Sequence, residues 1–320
     1  MLQTSVAFFI FNRPQLAGRV FAEIAAARPT RLFVVADGPR SEAERTRCEE
    51  ARRLISEIDW PCEISTNFAD TNLGCKRRVS SGLDWVFSQC EEAIILEDDC
   101  LPHPTFFRYC AEMLDRYRDD GRVMMISGDN FQFGRQRTRY SYYFSRYSHV
   151  WGWASWRRAW RHYDVDIRLW PILRETSWLA DVLGDVDAAA CWRGAFDRVY
   201  GGDVDTWDYQ WMLACLTRHG FSILPSVNLI SNLGHGPDAT HGKGGTSRLT
   251  NLPSAGMVFP LQHPPDLIWN READQFTFEH VLLDRRKRMR LKCRRIRRRL
   301  HEVIPVMLSK GRSKLGLEPR

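Results

Sequence analysis

A chain of 320 residues can build one large α/β domain with an appendage, or two modest domains. Its 44% hydrophobic content excludes global disorder. The net charge of +7 is local: residues 285–299 hold eleven Lys or Arg and no acid, and subtracting those eleven leaves −4 for the remainder, which argues against a body that tracks nucleic acid.

In chain order, Val6–Phe11 is predicted as a buried strand. It is too short to cross a bilayer and lacks the basic lead-in and cleavage site of a secretory signal. Pro14 opens a helix that runs to about Ala27, and Leu32–Ala36 is the next strand, closed by the turn-forming Asp37-Gly38-Pro39. Ser41–Ile58 has helical periodicity, Glu63–Asn67 reads as a third strand and Lys76–Phe87 as a helix. Ala93–Leu96 is a strand that ends in Glu97-Asp98-Asp99; Pro104–Tyr117 is a helix and Val123–Ile126 a strand. Strands alternating with helices of this length imply a mostly parallel, Rossmann-like α/β sheet flanked by helices. Ligands in such sheets sit at the carboxyl ends of the strands. Asp37, the acid triplet and Ser127-Gly128-Asp129-Asn130 all fall at such ends.

Composition shifts in the second half, where seven of the twelve tryptophans lie between Trp151 and Trp192. The expected organisation is one domain over 1–250, with a nucleotide-binding half (1–130) and an acceptor-facing half (131–250). An irregular Pro-rich wrap follows (251–280), then a basic tail (281–320). The nine cysteines are odd in number and show no CxxC, which fits free thiols in a reducing compartment, so the expected location is cytoplasmic.

An apolar strand running into three consecutive carboxylates is destabilised by their repulsion unless a cation sits among them. Oxygen-only ligation suits Mg²⁺ or Mn²⁺, which bind one or two carboxylates and complete their shell with diphosphate and water. A solvated acidic turn is the plainer alternative.

Taken in order, Phe11-Asn12-Arg13, Val35-Ala36-Asp37, Leu96-Glu97-Asp98-Asp99, Ser127-Gly128-Asp129-Asn130, Trp151-Gly152-Trp153 and Trp207-Asp208 form a spaced set over residues 5–245. The set resembles nucleotide-sugar glycosyltransferases of the GT-A fold, above all the N-acetylglucosaminyltransferase I type and bacterial family 2 relatives. The resemblance implies a metal-dependent, inverting transfer from a nucleotide-diphosphate sugar to a glycan or lipid-linked acceptor. By the same resemblance Asp99 contacts the metal, Asp98 lies near the ribose and Glu97 near the donor sugar. Asp37 hydrogen-bonds the base with Arg13 beside it, and Lys76, 21 residues before Glu97, reaches the nucleotide. Asp129, Asn130 and Trp151 fall on the acceptor side.

Inverting transfer needs a general base, and Asp208 is the candidate, with Asp205 the fallback. The stretch is similar to a Trp-Asp-Asp-Trp-Met segment of the family but has Tyr209-Gln210 in place of the second acid. Asp205 and Asp208 also have N-cap and N3 spacing, so helix capping is an alternative. The Gly-rich loop 232–247 carries His241, a further metal ligand or phosphate donor. No GxxxxGK[ST] phosphate loop is present. Trp153, Trp156 and Trp160 have helical spacing and are read as core, while Trp151 is assigned to the site.

From Val281 the chain reads as a basic amphipathic helix to about residue 304, suited to the inner face of an anionic membrane. A nucleic-acid arm and a plain solvated helix are the rivals, and nucleic acid is not expected as a partner of the body. Competing functions are a nucleotidyltransferase or sugar-nucleotide hydrolase on the same site, and a non-catalytic binding protein.

Overall fold

The computed structural model describes residues 1–234, 248–249, 251–283, 286 and 288–290. These fall in two compact units, Met1–Asp274 and Gln275–Arg320. The first unit opens with β1 (Val6–Ile10), α1 (Pro14–Ala27), β2 (Arg31–Ala36), α2 (Glu42–Arg53), β3 (Glu63–Phe68), α3 (Gly74–Gln89) and β4 (Glu92–Glu97). It continues through β5 (Cys100–Pro102), α4 (Thr105–Arg116), β6 (Val123–Ser127), β7 (Tyr142–Ser145), β8 (Trp153–Trp156) and α5 (Arg157–Trp160). Then come α6 (Trp170–Leu173), α7 (Trp178–Leu183), α8 (Val186–Tyr200), α9 (Asp208–Thr217), β9 (Phe221–Pro225), β10 (Ile230–Asn232) and α10 (Arg271–Thr277), whose last residues belong to the second unit.

Eight strands form one sheet in the order β3-β2-β1-β4-β8-β6-β9-β7. The pairings make β1, β2, β3, β4, β6 and β9 run one way and β7 and β8 the other. The fold is thus α/β with a mostly parallel sheet flanked by helices. Side-chain alternation sorts each strand between two cores. Phe8, Val34 and Leu96 pack toward α1 and α4, whereas Phe9, Val35 and Ile95 pack toward α3 and α9. Pro14 at the first turn and Ala17, Val20, Phe21 and Ile24 on one face make α1 the expected amphipathic helix.

Two sequence expectations need correction. The helix expected over Ser41–Ile58 stops at Arg53 and tightens into a 3₁₀ turn over Leu54–Glu57. Trp153 and Trp156 lie on a strand, not a helix. β8 is sandwiched antiparallel between β4 and β6, and the pleat sends Trp153 to one core and Trp156 to the other. Pairing on both edges outweighs a three-residue spacing that helix and core strand share.

Between Asn251 and Asn270 the chain runs without helix or strand, hydrogen-bonded to the sheet's loops through Ala255 N–Asn228 O (2.7 Å) and Ser141 N–Gln262 O (2.9 Å). Buried Asp274 fixes its end, accepting from Ser145 Oγ, Arg146 N and Trp269 Nε1. Most of the basic segment 281–304 lies outside the described residues; within it Met289 is exposed. Among the described residues no helix is long and apolar enough to cross a membrane.

Candidate active site

Parallel pairing in register (Ile10 opposite Ala36, Phe9 opposite Glu97) brings the carboxyl ends of β1, β2 and β4 to one rim. There they open into a cavity of about 600 Å³ whose walls include Arg13, Asp37, Glu97-Asp98-Asp99, Trp151 and Asp208. Of the candidate site residues named in the sequence, these seven come together, and the fallback base Asp205 is on the same wall.

The triplet is the electrostatic centre of this cavity. Glu97 lies on the α3–α9 side of the sheet, like Ile95, while Asp98 turns back to accept from Phe11 N at 3.0 Å. Arg13 turns to the triplet. Its guanidinium lies 2.7 Å from Asp99 Oδ2 and 3.5 Å from Asp98 Oδ1, since it follows β1, the strand paired with β4. Burial, then Asp99, Asp98 and Asp208, pushes Glu97 up to about 8. Burial and Asp99 push Asp98 up to about 7, although Arg13 and the Phe11 amide oppose the shift. For Arg13, burial works downward, but Asp98 and Asp99 outweigh it and its pKa is raised. One guanidinium is too little positive charge for these acids, so protons are retained near neutral pH.

The N-terminus of α3 settles two other acids. A helix start leaves its first N–H groups without intrahelical partners. Here Asp37 accepts from Leu73 N (2.9 Å) and Gly74 N (3.2 Å), while Asp205 accepts from Cys75 N and Lys76 N, both at 3.0 Å. Asp37 also takes Gly38 N (2.8 Å) and Asn72 Nδ2 (2.8 Å). With four donors already on it, Asp37 clamps the loop before α3 to the end of β2. Gly38 allows that clamp: a Cβ there would meet the Thr71 backbone at 2.4 Å. Asp205, the fallback base, caps a helix remote in sequence. Lys76 does not line the cavity; its ammonium lies 3.9 Å from Asp166. Two residues along the helix, buried Arg78 does line it, braced by the Asn67 side-chain oxygen at 3.0 Å and drawn toward Asp37 by charge.

On the cavity wall, Asp208 is the first residue of α9, with Trp207 rather than Asp205 in the cap position. Thr206 Oγ donates to its Oδ1, and the Thr206 carbonyl is held by Gln210 Nε2 at 2.6 Å. Asp208 shares the cavity wall with Glu97 and is close enough to help raise its pKa. A stack of indoles supports this corner: Trp207 lies 5.6 Å from Trp153, which is 5.6 Å from Trp211. The core reading of Trp153, Trp156 and Trp160 agrees with their burial.

On the remaining side Trp151 lines the cavity, with Phe131 edge-on behind it at 5.3 Å. Asp129, expected to meet the acceptor, does not reach it. It has no exposed surface, accepts from Trp151 N (3.1 Å), and burial raises its pKa far above the carboxylate range. Asn130 is likewise tied up, through Pro225 O (2.7 Å) and Asn228 Oδ1 (3.0 Å), and lines a different cavity. His241 lies outside the described residues. Sequence reasoning missed Asn72, Arg78, Thr206, Tyr209 and Asn232, all on the cavity wall. The polar run Asp70-Thr71-Asn72 before a helix was the one available signal among them.

Among the described residues, no group of three or more His, Cys, Asp or Glu is arranged to hold an ion by itself. The donor set nonetheless fits a hard divalent cation of the kind that takes one or two carboxylates and fills its shell from a diphosphate. Two observations favour the fit. Glu97 and Asp98 are crowded into holding protons. Gly234 lies so close over Asp99 that a Cβ there would fall 2.0 Å from its Oδ2.

No protein-family profile matches the chain, and no curated protein does. Among solved structures it is similar to a UDP-glucose pyrophosphorylase complexed with UDP-glucose, at 10% identity and a TM-score of 0.26. That match covers 45% of this chain and 62% of the pyrophosphorylase, so the chain spans less than two thirds of its length. A likeness this weak carries no weight on activity, and the functional reading rests on the cavity.

Proposed function

We propose that the protein is a metal-dependent, inverting glycosyltransferase, passing a sugar from a nucleotide-diphosphate donor to an acceptor hydroxyl. The observation that carries the reading is that Asp208 and Glu97-Asp98-Asp99 line one cavity at the carboxyl rim of the sheet, near enough for Asp208 to raise Glu97. A divalent ion held by Asp99 with Glu97 or Asp98 would supply charge neutralisation to the departing nucleoside diphosphate. The chain's own groups do the rest. Asp208, oriented by Thr206, accepts the acceptor's hydroxyl proton as that oxygen bonds the anomeric carbon and the carbon–diphosphate bond breaks. Trp151 and Tyr209 offer aromatic faces to sugar rings, and Arg13 bridges Asp98 and Asp99 and offsets their repulsion in the free protein.

Thermal shift with nucleoside diphosphates, with and without Mn²⁺, tests the reading. Stabilisation by the pair beyond that by either alone is expected, and should vanish in Asp99→Ala. Equal stabilisation of the variant would remove the triplet from the nucleotide site and the proposal with it.

A further inference from the structure

A second cavity, of about 780 Å³, opens on the same rim of the sheet. It is lined by Ser226, Val227 and Asn228 just after β9, by the segment after β6 and by the stretch Leu252–Gln262. These walls are cross-braced. Asn228 Nδ2 donates to Pro253 O (3.1 Å), Ala255 N donates to Asn228 O (2.7 Å), and Gln262 N donates to Ser141 Oγ (2.8 Å). The space is therefore built by the fold.

Its chemistry differs from that of the first cavity. Arg135 and Arg139 are exposed on its wall, with Gln136, and among the described residues no acidic side chain lines it. Arg139 reaches the Tyr140 hydroxyl at 3.0 Å and lies 5.1 Å over that ring, presenting a cation and an aromatic face together. Val258, 79% exposed, adds an apolar contact. Guanidinium groups beside an amide and an aromatic ring suit a saccharide that carries negative charge. Neutral sugars need only the stacking and the amides.

The spacing connects the two cavities. The triplet ends β4 and the second cavity sits beyond β9, with β8 and β6 between them in the sheet. Three inter-strand steps make about 14 Å, the reach of a short oligosaccharide. Trp151 on the first cavity touches Phe131, whose neighbour Asn130 lines the second.

We infer that this second cavity is a subsite for an anionic saccharide, a glycan bearing carboxylate or phosphate groups, which it holds while a hydroxyl one or more sugar units away lies at Asp208. The subsite itself rests on the second cavity alone; its service to transfer rests on the function proposed above.

The test is calorimetric binding to the full chain without donor, using a hexuronic acid trisaccharide, a phosphorylated trisaccharide and a neutral glucose trisaccharide. The wild type is expected to bind at least one acidic ligand about tenfold tighter than the neutral one at low salt. Whichever acidic ligand is preferred identifies the charged group. Arg135→Gln with Arg139→Gln should erase the preference, with melting temperature and Mn²⁺-dependent nucleoside diphosphate binding unchanged. Equal binding of acidic and neutral ligands, an unaffected double variant, or tighter retention of a single-stranded oligonucleotide than of either acidic saccharide each overturns the subsite. Acidic-saccharide binding that survives when no nucleotide sugar is ever turned over supports the subsite and counts against the transferase alone.

Discussion

The crowding of Glu97 makes a measurable demand on stability. The perturbation is Glu97→Gln, which keeps the shape and removes one charge from the cluster. Burial and the neighbouring acids raise Glu97 from an ordinary 4.5 to about 8, and Asp98 from 3.8 to about 7. A carboxyl whose pKa is higher in the folded state binds its proton more tightly there. Its contribution is therefore full below pH 4–4.5, the unfolded range, and is lost as pH rises through about 7 to 8. At about 1.4 kcal/mol per pH unit the full Glu97 shift would be worth roughly 5 kcal/mol. The carboxyl lines a cavity and stands among other titrating acids, so about 2 kcal/mol between pH 5 and 8.5 is the expected loss. Urea unfolding followed by tryptophan fluorescence, in chelator at pH 5, 7 and 8.5, measures it. The wild type should lose stability toward pH 8.5, and Glu97→Gln should be the flatter and, at pH 8.5, the more stable protein by about 2 kcal/mol. Parallel pH profiles for the two proteins would refute the argument, for the cluster would then not be holding a proton.

Other perturbations separate the acids by role. Asp208→Asn should lower turnover by about 10²–10⁴-fold while nucleoside diphosphate affinity by calorimetry is unchanged. Asp205→Ala should instead lower stability by about 1 kcal/mol in urea, because it uncaps α3, and leave turnover within a few-fold. Should Asp205→Ala cripple turnover at unchanged stability, the two assignments are exchanged. Gly234→Ala should abolish Mn²⁺-dependent nucleotide binding, since its Cβ collides with Asp99; a variant that binds normally would show that Gly234 does not shape the carboxylate.

The α/β sheet was legible because its strands are short, apolar and ended by turn residues, and because α1, α3 and α4 carry unbroken amphipathic periodicity. The rim was legible for a topological reason: in parallel strands, polar residues at successive carboxyl ends converge. What a carboxylate does once there was not legible. Asp37, Asp129 and Asp208 look alike in sequence, yet Asp37 is saturated by the start of α3, Asp129 is sealed beneath Trp151, and Asp208 faces the cavity. Those differences come from contacts between residues far apart in the chain. Asp205 meets α3 across 129 residues or more, and no local pattern encodes that capping. Lys76 and Arg78 show the same limit at short range, since which of two cations on one helix faces the site depends on how α3 is rotated against the sheet.

The central claim is sugar transfer at a cavity lined by both Asp208 and the acid triplet. Its most direct measure is phosphorus and proton NMR of the protein incubated with Mn²⁺, nucleotide sugars and a panel of saccharide acceptors. The account predicts nucleoside diphosphate released in step with a new glycosidic linkage of inverted anomeric configuration, and neither in Asp208→Asn. Release of pyrophosphate from a nucleoside triphosphate and a sugar phosphate, or a product of retained configuration, would contradict it.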